Sequence, residues 1–214
     1  MPRTAVFDLD GTLVDCAPDI RAALNRLMAS RGLPPFALPE VTAMIGDGAK
    51  ALVERALAGR GQPFDPAALA AFVADEDVSH ARLARPFPGI AAALAALTEA
   101  GWRLAVCTNK PAAPARALLA SLGLAEHFAA VGGGDSFPVR KPDPGHLMST
   151  LLAANGEPSL AIMVGDHRND VAAAVGAGVP CVFAGWGYGA PGMAAGAVAA
   201  SPEDLPALLR AILP

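Results

Sequence analysis

The chain reads as short apolar runs alternating with longer stretches in which apolar residues recur at helical spacing. Residues 4–9 (TAVFDL) have the pattern of a buried strand that ends on acids. Further strand-like runs lie at 103–107 (RLAVC), 128–131 (FAAV), 160–164 (LAIMV) and 179–183 (VPCVF), with helical patterns at roughly 90–100, 111–122, 146–155 and 169–177 between them. Such alternation predicts an α/β fold with a Rossmann-like parallel sheet covered by helices. In sheets of this kind ligands bind beyond the carboxyl ends of the strands.

One region breaks the alternation. From about residue 17 to 84 no strand signal occurs, while Ile20, Ala23, Leu24, Leu27 and Met28 fall at helical spacing within 19–31. Further helices are expected at 49–58 and 66–83, punctuated by Pro34, Pro35, Pro39 and Pro63. Arg85-Pro86-Phe87-Pro88-Gly89 closes the region as a stiff, turn-forming linker. The expected organisation is an all-helical cap at 17–84, inserted after the first strand into a discontinuous α/β core at 1–16 and 85–214.

Composition narrows the functional classes. Hydrophobic residues make up 53% of the 214, yet the richest apolar stretch, 91–97, is far short of the roughly 18–20 residues that span a bilayer. No basic segment leads into an apolar run and cleavage site, so a cytoplasmic location is expected. The net charge of −4 and the lack of a basic block argue against nucleic acid as a partner. Cys16, Cys107 and Cys181 are too few and too widely spaced for a disulfide framework or a zinc cluster. The pattern specifies no oligomeric state.

Four polar clusters stand at strand ends. Asp8 and Asp10 flank Leu9 directly after the first apolar run; if the segment is extended, both project to one side, and two adjacent carboxylates repel unless a cation or shared proton compensates. Thr108-Asn109-Lys110 follows the second strand, where a hydroxyl, backbone N–H groups and a helix start suit a phosphate oxygen, although Thr-Asn also opens ordinary helices as a cap. Lys141, between a strand and the prolines Pro142 and Pro144, can set one positive charge against phosphate or be a solvated loop residue. Asp166 and Asp170 follow the 160–164 run, and their carboxylates suit magnesium or a helix cap. Together the clusters supply a nucleophile, a second acid, a metal site, a hydroxyl and a cation. Phosphoryl transfer draws on such a set, because its catalysis is mostly positioning and charge stabilisation.

These motifs, in this order, resemble the haloacid dehalogenase superfamily of phosphatases with a helical cap: DLDGT at 8–12, Thr108, Lys141 and the GDxxxD run through Asp166 and Asp170. DLDGTLVDCAPDI from Asp8, IGDGA from Ile45, GGDSFPVRKPDP from Gly133 and GWGYG from Gly185 resemble its phosphoglycolate phosphatase branch, which usually has serine where Cys16 and His167 stand. The resemblance implies a magnesium-dependent phosphatase acting on a small-molecule phosphate ester. Asp8 would be the nucleophile and Asp10 the general acid and base. Magnesium would be held by Asp8, the Asp10 carbonyl and Asp166, with Asp170 behind them. Thr108, Asn109 and Lys141 would hold the phosphoryl oxygens. The loop at 45–50 would lie over the site, with Gly46 and Lys50 near the substrate. A phosphosugar mutase or another sugar phosphatase on the same fold is the alternative reading. A receiver domain is disfavoured by the first-strand acids and the long insertion.

Overall fold

The structure is a computed structural model that describes residues 2–75 and 82–214. Its centre is a six-stranded, wholly parallel sheet formed by β1 (Thr4–Phe7), β4 (Arg103–Cys107), β5 (Phe128–Gly132), β6 (Ala161–Gly165), β7 (Cys181–Ala184) and β8 (Ala197–Ala199), in the order β5-β4-β1-β6-β7-β8. β1 is buried throughout. Its register pairs Thr4 with Arg103 on one side and with Ala161 on the other. After β1 the chain builds outward through β4 and β5, then crosses back to place β6 on the opposite flank. The order therefore reverses at β1, and the crevice at its carboxyl end is the place where an open α/β sheet binds ligands.

Alternation along the strands sets both layers. Phe7, Leu104, Val106, Ile162 and Val164 face one core, with Leu94 and Leu97 of α5 (Ile90–Glu99), Leu118 and Leu119 of α6 (Ala112–Ser121), and Leu205 and Leu209 of α9 (Leu205–Ile212). Val6, Ala105, Cys107 and Met163 face the other, with Leu147 and Leu151 of α7 (Pro144–Ala153) and Ala173 and Ala174 of α8 (Arg168–Ala177).

β2 (Val14–Asp15) and β3 (Arg85–Pro86) form a small antiparallel pair where the chain leaves the sheet layer and returns. Between them run α1 (Ala17–Ser30), α2 (Leu38–Thr42), α3 (Ala49–Ala58) and α4 (Pro66–Val73). Asp19, in the first turn of α1, fixes the return by accepting backbone N–H groups of Leu83 at 2.9 Å and Ala84 at 2.8 Å. The helix expected over 66–83 ends at Val73, and 76–81 lies outside the described residues.

Two local expectations change. The first strand stops at Phe7, because the Leu9 carbonyl accepts N–H groups from Thr12, Leu13 and Val14 and coils the chain at once. Asp8 and Asp10 thus flank a turn instead of lying along a pleat. The fifth predicted run begins at Cys181, past Pro180, which cannot donate to a ladder. Among the described residues no helix is long and apolar enough to cross a membrane.

Candidate active site

Asp8 leaves β1 at the switch point and is buried. Its N–H continues the ladder to the Val164 carbonyl, and its Oδ1 accepts from the Leu9 N–H at 2.7 Å. Lys141 Nζ lies 2.9 Å from Asp8 Oδ1 and 2.6 Å from Asp170 Oδ1. Burial disfavours the ammonium, but Asp170 and Asp8 outweigh it and hold the lysine well above its usual range. Lys141 is therefore a fixed charge.

The Lys141 backbone is held in turn by His146, which is fully buried on α7. His146 Nδ1 accepts the Lys141 N–H at 3.1 Å, and Nε2 lies 3.1 Å from the Gly133 carbonyl. Those partners select the neutral tautomer with its proton on Nε2. Burial, helped by the nearby Lys141 charge, pushes the ring down to about 4.

Asp166 ends β6 and is clasped from both sides. Oδ1 accepts the Thr12 hydroxyl at 2.8 Å, and Oδ2 accepts N–H groups of Tyr188 at 2.8 Å and Gly189 at 3.3 Å. Gly189 is obligatory there, since a Cβ would lie 1.7 Å from the Asp166 carbonyl oxygen. Burial and the Asp8 charge push Asp166 up to about 6, against the pull of these hydrogen bonds. Asp170 accepts the His167 N–H at 2.9 Å and pairs with Lys141. Asp8, Asp166 and Asp170 each present an oxygen within 4.8 Å of the others, all buried. With Asp10, four carboxylates face two ammonium groups, Lys141 and Lys110. An oxygen-only donor set with excess negative charge fits a hard divalent cation.

Asp8 also opens onto a cleft of about 530 Å³, open solvent included. Asp8, Asp10, Thr108, Asn109 and Lys110 line its polar end, and Ile20, Ile45, Leu52 and Phe72 line the rest. The 45–48 loop separates it from a second opening at Asp166 and His167. That loop is tethered to the sheet layer. The Gly46 carbonyl accepts Asn109 Nδ2 at 3.0 Å and Asn169 Nδ2 at 3.3 Å. Asp47 takes Asn169 Nδ2 at 2.6 Å and Arg168 at 3.2 Å, and pairs closely with Arg55 of α3. Burial opposes ionisation of Asp47, but Arg55 and Asn169 prevail and hold its carboxyl below the usual range.

The family model for the haloacid dehalogenase-like hydrolases matches residues 2–178. The chain belongs to that family. It is 45% identical over 192 residues to a phosphoglycolate phosphatase of Caulobacter vibrioides, covering 86% of this chain and 80% of that protein. A predicted phosphoglycolate phosphatase from Haemophilus somnus 129PT superposes with a TM-score of 0.88 at 27% identity, over 97% of each chain. CbbY from Rhodobacter sphaeroides in complex with phosphate gives 0.81 at 27% identity, over 96% of each.

Within this haloacid dehalogenase-like hydrolase the structure brings Asp8, Asp10, Thr108, Asn109, Lys141, Asp166, Asp170 and Gly46 together around one crevice. Lys50 is not among them. It stands on the exposed face of α3, 3.6 Å from Glu54 and over the Phe64 ring, and lines neither opening. The Cys16 thiol is buried and pushed up, first by burial and then by Asp10, which leaves it inert. His167 caps α8, its Nδ1 accepting the Asn169 N–H at 3.2 Å. Three further residues matter that the sequence did not single out for a role: His146, Lys110 and Tyr188. Tyr188 lies in the GWGYG run and ties the loop holding Asp166 to the start of the helical segment. Its hydroxyl donates to Asp15 at 2.7 Å and accepts the Ala17 N–H at 3.0 Å.

Proposed function

We propose that the chain is a magnesium-dependent phosphomonoesterase of the cytoplasm that converts 2-phosphoglycolate to glycolate and phosphate. Residues 17–84 would act as the cap over a core of 1–16 and 85–214. The observation that carries the reading is the setting of Asp8: its carboxylate meets Lys141 and two further acids on one side and opens onto the cleft with Asp10 and Thr108 on the other. The names of the curated relative and of the Haemophilus structure support the substrate, and the phosphate bound by CbbY supports the chemistry.

In this mechanism an Asp8 oxygen attacks phosphorus in line, and the bond to the ester oxygen breaks. Asp10 gives its proton to the departing alkoxide. Asp10 then takes a proton from water, which attacks the aspartyl phosphate and frees both phosphate and the Asp8 carboxylate. Thr108, the Asn109 N–H and the fixed charge of Lys141 orient and stabilise the transferring oxygens. Asp8, the Asp10 carbonyl and Asp166, with Asp170 behind them, would hold magnesium, which would supply positive charge at the reacting phosphate.

Phosphate release over a panel of small phosphate esters, with no bisphosphate activator added, tests the reading. 2-Phosphoglycolate should lead the panel, and Asp8→Asn should abolish turnover while keeping the circular dichroism spectrum. Turnover that needs a bisphosphate activator would instead indicate a mutase.

A further inference from the structure

Beside Asp10 stands a cation that the phosphoryl chemistry leaves without a task. Lys110 is only 7% exposed, and its Nζ has one partner among the described residues, Asp10 Oδ1 at 3.4 Å. An ammonium carries three N–H donors, and burying it with one long contact is unfavourable unless another acceptor arrives.

The surroundings leave little else to read a second polar group on the substrate. Lys141 is engaged by Asp8 and Asp170. Lys50 faces solvent with Glu54. Beyond the polar end, the side chains of Ile20, Leu52 and Phe72 offer no hydrogen bond to a sugar hydroxyl, and Gly46, Gly48 and Ala49 offer only backbone polar atoms, so among the described residues Lys110 is the one charged side chain there besides Asp8 and Asp10. Asp10 must reach the ester oxygen to protonate it, so a cation 3.4 Å from Asp10 also lies near whatever is attached one carbon beyond that oxygen.

We infer that Lys110 is the specificity residue of this cleft, pairing with a carboxylate one carbon from the ester oxygen and thereby selecting short, α-carboxylated phosphate esters over neutral ones and over polyol phosphates. The inference rests on the phosphoglycolate reading and assigns its second anion to a named side chain.

The test compares 2-phosphoglycolate, its neutral amide and ethyl phosphate in wild type, Lys110→Met and Lys110→Arg, each verified as folded by circular dichroism. Wild type should favour 2-phosphoglycolate over ethyl phosphate by about 100-fold in kcat/KM, or about 2.7 kcal/mol. In Lys110→Met that preference should shrink at least ~30-fold, mainly through KM, and Lys110→Arg should restore part of it. If Lys110→Met does not fold, Lys110→Gln is read the same way. A preference that survives neutralisation overturns the assignment while the phosphoglycolate reading stands. Equal losses on all three substrates, carried by kcat, overturn it too, because Lys110 would then serve only Asp10. A wild-type ratio near one removes the phosphoglycolate reading itself, and the inference with it.

Discussion

Replacing His146 with glutamine removes a titrating group from beneath the Lys141 loop and should change how stability depends on pH. In the folded chain the ring is neutral, with its pKa at about 4, against about 6.5 for an exposed histidine. A depressed histidine contributes stability that is complete above pH 6.5 and is lost as pH falls toward 4. Linkage over that interval removes roughly 2 kcal/mol between pH 7.5 and 5.0. Asp166 acts with the opposite sign: its carboxyl is raised to about 6, so its contribution is present below the free carboxylate range and lost as pH rises through about 6. The wild-type curve therefore mixes opposing slopes, and only the difference between the two proteins isolates His146. Urea unfolding at half-unit steps from pH 5.0 to 7.5, with chelator present throughout, supplies it. At pH 7.5 His146→Gln should be less stable by about 1–3 kcal/mol, the cost of breaking a buried hydrogen-bonded pair. The gap should close by roughly 2 kcal/mol at pH 5.0. A gap that stays constant within about 0.5 kcal/mol would mean that the ring protonates in the fold as freely as in the open chain, and the tautomer argument would be wrong.

Chelation should stop phosphate release and magnesium should restore it, whereas calcium, with its larger and looser coordination, should bind without restoring turnover; full activity in chelator-treated enzyme would remove the cation from the mechanism. Asp10→Asn should lose more rate on 2-phosphoglycolate, whose alkoxide needs a proton, than on para-nitrophenyl phosphate, whose leaving group does not; equal losses would exclude Asp10 as the acid. Gly46→Val should drive the 45–48 loop off the sheet layer, because the residue sits at φ +122° and a Cβ would fall 2.6 Å from a His167 ring carbon. Its kcat/KM for 2-phosphoglycolate should fall at least ~10-fold more than that for para-nitrophenyl phosphate, and parallel changes would show that the loop takes no part in substrate choice.

Much of this architecture was legible because the signals are local. The β1, β4 and β6 segments are apolar on both faces, as strands buried in a parallel sheet must be, and each runs directly into polar residues. β8 escaped because Ala197–Ala199 is three small residues with no periodicity to detect. The clasp around Asp166 escaped because its donors come from Thr12 and from 188–189, far apart in sequence. His146 looked like an ordinary helix residue; its role depends on Gly133 and Lys141 arriving at its two ring nitrogens. Lys50 and Lys110 lie the other way round from what position suggests, one outside the cleft and one lining it. A loop glycine and a helix start made Lys50 plausible near substrate, but the i+4 Glu54 and Phe64 hold it outward. The pairing of β1 with β4 turns Lys110 inward toward Asp10.

The insertion between β1 and β4 has a kinetic corollary. Thr4 and Arg103 are register partners although they lie about a hundred residues apart, so the centre of the sheet closes only after the whole helical segment has been spanned. Non-local contacts of this kind make folding slow relative to local helix formation. Asp8 and Thr108 directly follow the two strands joined by that closure. On refolding, helical ellipticity should return first, and catalytic activity should follow no faster than β1 pairs with β4, which makes turnover a direct clock for closure of the sheet across the insertion.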